Sequence, residues 1–209
     1  MKRPKTSRAW WLDRHVHDPF VKLAQKEGYR SRAAYKLLGL DERDHLFKPG
    51  MIVVDLGAAP GGWCQVAVSR VGEKGRVVGI DLLPVEPVPG ATLIQADFAS
   101  DEGLAEVEAA LDGHRVDLVL SDMAPNLSGV KDADQAKHYM LADLALDFAV
   151  QWLKPEGVFV VKVFHGPDFD DFVRRARQAF RQVNVRKPEA SRDESRENFL
   201  VAKGVKTSQ

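Results

Sequence analysis

Lys162 stands inside Val160-Val-Lys-Val-Phe164, a run that is otherwise apolar. Lysine is seldom enclosed by apolar neighbours without a partner, so its ammonium must reach a carboxylate or emerge into a cleft. A purely structural ion pair is the plainer alternative. Ser121-Asp-Met-Ala-Pro-Asn126 ends another apolar run and turns at Pro125, leaving Asp122 at the carboxyl end of that run. A lysine and an aspartate so placed can orient a hydroxyl between them and help remove its proton.

A second set of residues suits a ligand. Asp55-Leu-Gly-Ala-Ala-Pro-Gly-Gly-Trp63 follows an apolar run and opens an amphipathic one, the context in which a glycine-rich turn has meaning. Gly57, Gly61 and Gly62 let the backbone approach a ligand closely. Ala59 stands where the dinucleotide fingerprint needs glycine, Pro60 removes a backbone donor, and no lysine follows to cradle phosphate. A turn this small and apolar fits the amino-acid and ribose portion of S-adenosylmethionine. Asp81 ends the next apolar run about 20 residues past the turn, where an acid accepts bonds from ribose hydroxyls. Asp97 ends a third run and can meet an adenine amino group while Phe98 flanks the base. A helix N-cap or a solvated strand end is the alternative for Asp97. Trp63 reads equally as a wall of the ligand site or as core packing. Cys64 reads as a small buried apolar residue, and no metal is expected.

These residues need a scaffold that brings run ends together. Residues 51–56, 76–81, 91–97, 116–122 and 157–163 read as buried strands, and several end in aspartate. Residues 62–71, 101–111, 134–153 and 168–180 read as helices, with Pro155 and Gly157 ending the third. Two more strands are expected at 182–186 and 198–203. Alternation of this kind makes an α/β fold, a mostly parallel sheet with helices on both faces and ligands beyond the carboxyl ends of the strands. Residues 7–44 read as a helical, basic stretch. The chain is thus expected to be one domain, with an N-terminal extension over 1–48 and a catalytic core over 49–209.

Composition narrows the partners. The longest apolar runs are broken by charge after a few residues, far short of the roughly 20 needed to cross a bilayer. No signal peptide follows the basic start, and a single cysteine fits a reducing cytoplasm. Net charge is zero, yet residues 1–48 hold 12 Lys and Arg against 6 Asp and Glu. Residues 174–209 hold 10 against 4, whereas 86–112 hold seven acids and no Lys or Arg. Basic ends around an acidic middle suit a polyanion-binding face, and uneven solvated faces are the alternative. No sustained heptad or leftover apolar stripe is present, so a monomer is expected.

The chain resembles the FtsJ (RrmJ, RlmE) family of ribosomal RNA 2′-O-ribose methyltransferases. Ser31-Arg-Ala-Ala-Tyr-Lys-Leu37, Lys48-Pro-Gly, the glycine turn, Asp81-Leu-Leu-Pro84, Ser121-Asp-Met-Ala-Pro-Asn126, Val161-Lys-Val-Phe164, Arg186-Lys-Pro and Ser195-Arg-Glu197 carry the likeness. It runs from Trp10 to Lys203 with the motifs in the family's order. The resemblance implies a Rossmann-like sheet of seven strands, the last antiparallel. It also implies a catalytic tetrad of Lys36, Asp122, Lys162 and Glu197, with S-adenosylmethionine as cofactor. The implied substrate is a uridine of large-subunit (23S) ribosomal RNA, in the assembled subunit. Arg8, Arg14, Lys22, Lys26, Arg30, Arg32, Arg192 and Arg196 would then hold RNA phosphates. Another RNA, a small-molecule substrate or a non-catalytic RNA-binding role are the rival readings.

Overall fold

Near-continuous runs of Val, Ile and Leu make strands that are buried on both faces, and such strands assemble in parallel. The computed structural model describes residues 18–125, 128–191 and 195–206. The strands are β1 (Ile52–Leu56), β2 (Arg76–Asp81), β3 (Ala91–Gln95), β4 (Val116–Ser121), β5 (Leu153–Phe164), β6 (Phe180–Arg186) and β7 (Glu197–Val205). The helices among the described residues are α1 (Pro19–Glu27), α2 (Ala33–Asp44), α3 (Gly62–Val71), α4 (Asp101–Leu111), α5 (Lys131–Trp152) and α6 (Phe169–Ala179). The strands form one seven-stranded sheet in the order β3-β2-β1-β4-β5-β7-β6. β1 to β5 pair in parallel, and β7 runs antiparallel between β5 and β6. The strand order reverses between β1 and β4, which opens a crevice at the carboxyl edge.

Alternation sends each strand's side chains to two cores. Val54, Leu56, Val78, Ile80, Val119, Phe159, Val161 and Val163 pack with residues of α4, α5 and α6. Val53, Val77, Leu118, Leu120, Val158 and Val160 pack with Ala34, Leu37 and Leu40 of α2 and with α3. Lys162 follows Val158 and Val160 by the same period, so it belongs to the face that α2 covers.

Helix ends follow local chemistry. Asp18 caps α1 by accepting from the Phe20 N–H at 3.0 Å, and Pro19 opens the helix. Ser100 caps α4 through the Gly103 N–H at 3.0 Å. The helical reading of 7–44 is interrupted, because Gly28 takes a left-handed conformation (φ 78°) and ends α1 before α2 begins. Residues 7–17 lie outside the described residues. The third expected helix starts earlier, at Lys131, and gives way to strand at Leu153, not at Gly157. Leu153 is buried and pairs with Val116, and a register irregularity before Leu118 absorbs the residues around Pro155.

One ion pair fastens α2 to the far edge of the sheet. The Arg186 guanidinium donates to both oxygens of Asp44 at 2.8 and 2.9 Å, and the Lys203 ammonium donates to the Asp44 carbonyl. The Asp44 side chain is 6% exposed and that of Arg186 18%. Removing one partner of an enclosed pair costs about 3–5 kcal/mol. Access of water to Arg186 lowers the figure here to about 2–3 kcal/mol. Arg186→Ala should lower the unfolding free energy by that amount, read as a lower urea midpoint. An unchanged midpoint would show that this pair does not hold the joint.

Candidate active site

Four charged side chains meet at the carboxyl edge, each delivered by a different element. Asp122 directly follows β4, and Lys162 follows Val161, the register partner of Ser121. The Lys162 ammonium lies 3.0 Å from Asp122 Oδ1, and its aligned hydrogen bond goes to the Asp122 carbonyl at 2.9 Å. Oδ1 therefore keeps no well-aligned donor although it is enclosed. Glu197 is the first residue of β7 and pairs in register with Phe164. Because β7 is antiparallel, its amino end lies at the carboxyl edge of the other strands. Lys36, in the first turns of α2, reaches Glu197 with its ammonium 2.7 Å from Oε1 and 2.9 Å from Oε2. The Ser191 hydroxyl donates to Glu197 Oε1 at 2.9 Å. Burial alone would raise the Glu197 carboxyl, but Lys36, Lys162 and Ser191 together hold it below its ordinary value. Phe199, the register partner of Lys162, lies under Lys36 with the ammonium 5.9 Å from the ring centre.

A cavity adjoins Asp122 on the β1 side, lined by Gly57, Asp81, Leu82, Asp97, Phe98 and Met123 among others. Gly57 has φ 84°, and a Cβ there would sit 2.9 Å from the Met123 backbone, so only glycine fits. Asp81 accepts from the Ala59 N–H and from the Leu83 N–H, both at 2.8 Å. Each of its oxygens keeps a further lone pair. Asp97 is exposed and accepts from the Ala99 N–H at 2.9 Å, and Phe98 packs edge-on against Phe148. Acids beside an apolar wall fit a cationic ligand that carries hydroxyls and an aromatic base, as S-adenosylmethionine does. A larger groove of about 680 Å³ between α5 and α6 gathers no comparable set among the described residues.

The wall reading of Trp63 is corrected. Trp63 is 4% exposed, its indole N–H donates to the Ala33 carbonyl at 2.8 Å, and its ring stands 5.7 Å from that of Phe199. A large ring behind the turn has the apolar space under α2 to fill, and it fastens that helix there. Gly61 and Gly62 do not line the cavity: Gly61 faces Arg30, Val85 and Val88, and Gly62 faces Ser31. Among the basic residues expected to hold phosphate, Lys22, Lys26 and Arg196 are exposed. Arg32 is committed to Asp18 and the Ala190 carbonyl, and Arg30 to three other carbonyls. Arg8, Arg14 and Arg192 lie outside the described residues.

A family profile described as FtsJ-like methyltransferase matches residues 29–205. The chain belongs to that family. It is 60% identical over 202 residues to ribosomal RNA large subunit methyltransferase E of Thiobacillus denitrificans, covering 97% of this chain and 91% of the relative. The protein of the same name from Marinobacter nauticus is 55% identical over 208 residues, the full length of both. Among solved structures, a ribosomal RNA methyltransferase from Plasmodium falciparum superposes with a TM-score of 0.76 at 30% identity, over 85% of this chain and 98% of that one.

This FtsJ-like methyltransferase also carries two enclosed titratable groups that sequence reading passed over. Asp55 is fully buried, accepts from the Cys64 thiol at 3.2 Å, and has Oδ1 without a donor. Its signal was available, since it is an acid one residue before the end of β1, in a run that is otherwise apolar. His138 on α5 is 3% exposed, and its Nε2 meets the Lys162 carbonyl at 3.1 Å. A carbonyl only accepts, so Nε2 carries the proton. Nothing in a helical pattern marks such a histidine.

Asp55 and His138 respond oppositely to pH. Burial first, eased by the Cys64 bond and reinforced by Asp122 and Asp81, lifts the Asp55 carboxyl from 3.8 to about 7. The folded chain then keeps a proton that the unfolded chain has lost, so this group makes stability fall as pH rises through that window. Burial, then the Lys162 charge, lowers His138 from 6.5 to about 4. Here the unfolded chain takes a proton that the folded one refuses, so stability is lost as pH falls from 6.5 towards 4. Relative to wild type, Asp55→Asn should tilt the stability profile upward with pH between about 4 and 6.5. His138→Gln should tilt it downward over the same range. Urea midpoints across that range give both slopes, and variants that keep the wild-type slope would contradict these titrations.

Proposed function

We propose that this chain transfers the methyl group of S-adenosylmethionine to the 2′-hydroxyl of a uridine in large-subunit (23S) ribosomal RNA, acting as a cytoplasmic monomer on the assembled subunit. The observation that carries the reading is the Lys162–Asp122 pair beside the Asp81–Asp97 cavity, faced by the Lys36–Glu197 pair. Membership of the FtsJ-like family, and relatives named for large-subunit ribosomal RNA, support the substrate class. The likeness of the four charged residues to that family's tetrad extends it to the ribose oxygen.

When bound, the cofactor supplies a methyl group activated by a sulfonium charge. Gly57 leaves room for it, Asp81 accepts from its ribose hydroxyls, and Asp97 with Phe98 meets the adenine. Gly61 and Gly62 shape the turn, with Trp63 anchoring α2 behind it. With its own proton released to solvent, the Lys162 amine orients the 2′-oxygen and accepts its proton, and the Asp122 carboxylate beside it holds the ammonium so formed. Lys36 and Glu197 fix the ribose from the opposite side, so that much of the rate comes from alignment. Two ammoniums and two carboxylates leave the site near neutral, which lets a proton move without creating net charge in an enclosed space. Exposed Lys22, Lys26 and Arg196 hold RNA phosphates.

Lys162→Ala should bind cofactor and lose methyl transfer by about 10²–10⁴-fold in a single-turnover assay. Ribosomal RNA from cells carrying only this variant should lack one 2′-O-methyl group by mass spectrometry. If Lys162 served structure alone, Asp122 would be left enclosed without its cation, at a cost of about 3–5 kcal/mol. A variant that melts far below wild type yet keeps its rate per folded molecule would overturn the assignment.

A further inference from the structure

Arg30 belongs to the joint between α1 and α2, and that joint is locked to α3. The Gln65 side-chain carbonyl accepts from the Arg30 N–H at 3.0 Å, and its amide donates to the Gly28 carbonyl at 3.0 Å. From this fixed base the guanidinium donates three hydrogen bonds to backbone. One nitrogen reaches the Pro60 carbonyl at 3.2 Å and the Glu86 carbonyl at 2.5 Å, and the second reaches the Pro87 carbonyl at 2.8 Å. Pro60 lies in the glycine turn, whereas Glu86 and Pro87 lie in the loop after β2.

The same two segments wall the cavity. The turn supplies Gly57, and the end of β2 with its loop supplies Asp81 and Leu82. On the cavity side they are tied by the Ala59 N–H donating to Asp81. On the outer side the tie is Arg30. Gly61 has φ 108°, and a Cβ there would fall 2.7 Å from the Arg30 nitrogen. The turn's glycine thus makes room for a guanidinium. A planar group with five donors can bridge three fixed carbonyls, and an ammonium cannot match that geometry.

We propose that Arg30 is a positioning residue of the cofactor cavity, bracing the glycine turn against the loop after β2, and not a phosphate contact. The proposal rests on the reading of that cavity as the S-adenosylmethionine site. It makes the segment that carries the RNA-facing lysines of α1 a structural part of the cofactor site.

The test compares wild type, Arg30→Met and Arg30→Lys as full chains, with calorimetric binding of S-adenosylmethionine, steady-state methyl transfer, and binding of a large-subunit rRNA transcript against salt. Arg30→Met should weaken cofactor binding about tenfold to a hundredfold, with a matching rise in cofactor KM and a much smaller fall in kcat. Arg30→Lys should recover part of the loss. The salt slope of RNA binding should not change. Should Arg30→Met fail to fold, the intermediate loss expected of Arg30→Lys carries the test. Cofactor binding equal to wild type in the folded variants would overturn the brace. So would an RNA salt slope flattened by roughly 0.7–0.9 with cofactor binding intact, the signature of a lost phosphate contact. A wild-type chain that binds no S-adenosylmethionine would sink the reading of the cavity itself, a result distinct from either.

Discussion

An enclosed ammonium sets terms for everything around it. Lys162 is 7% exposed in a strand whose neighbours are apolar, and an isolated charge in such a place costs several kcal/mol even after relaxation. Asp122 answers it with both a carboxylate and a carbonyl. His138 donates to the Lys162 carbonyl as a neutral ring near neutral pH, because burial and the nearby cation both oppose its protonation. Glu197 stays ionised partly through the same cation. Pairs of this kind seldom add stability beyond what an apolar replacement of equal volume would give. Their presence here is explained by chemistry at the strand end.

The parallel part of the sheet alone would present mostly acids at its carboxyl edge, with Asp81 ending β2 and Asp122 directly after β4. The antiparallel β7 changes what that edge can do. It delivers an amino end, so the Ser195–Glu197 stretch lies beside the end of β5, and Glu197 faces a helix outside the parallel core. Lys36 completes the group only because α2 is held from three sides. The Trp63 indole takes the Ala33 carbonyl, the Asp44–Arg186 pair ties the other end to β6, and Leu37 and Leu40 are buried beneath. The tetrad therefore depends on contacts well away from it.

The legible parts of this fold are those that local chemistry decides. The bounds of α3 and α4 are plain in the sequence, because a glycine pair and a capping serine mark their starts. Strand-end aspartates pointed to the edge where Asp81, Asp97 and Asp122 stand. The antiparallel placement of β7 is a pairing between distant segments, and no period in the sequence encodes it; only the family resemblance implied it. Trp63 was ambiguous for a related reason: a ring beside a ligand turn and a ring under a helix obey the same pattern. Arg30 and Arg32 read as phosphate contacts in the sequence because their carbonyl partners are fixed by tertiary structure alone. The early start of β5 was hidden by Pro155, whose effect on pairing is absorbed by a bulge next to it.

Charge divides the carboxyl edge at the point where the strand order reverses. On the β1–β3 side, Asp81 and Asp97 are held by backbone N–H groups, so their negative charge is met by dipoles. On the β4–β5–β7 side, Asp122 and Glu197 are each met by an ammonium. The first half thus offers a net negative field to a cationic ligand with hydroxyl groups. The second half offers a balanced one, in which a hydroxyl can lose its proton without leaving charge uncompensated. Asp122 stands at the boundary, next in sequence to Met123 of the cavity wall and paired with Lys162 on the other side. Burial is what chiefly raises the Asp55 carboxyl, and repulsion from Asp122 and Asp81 adds to it. In the function proposed above, the seam between cofactor side and substrate side is thereby fixed by the crossover between β1 and β4, before any loop is placed.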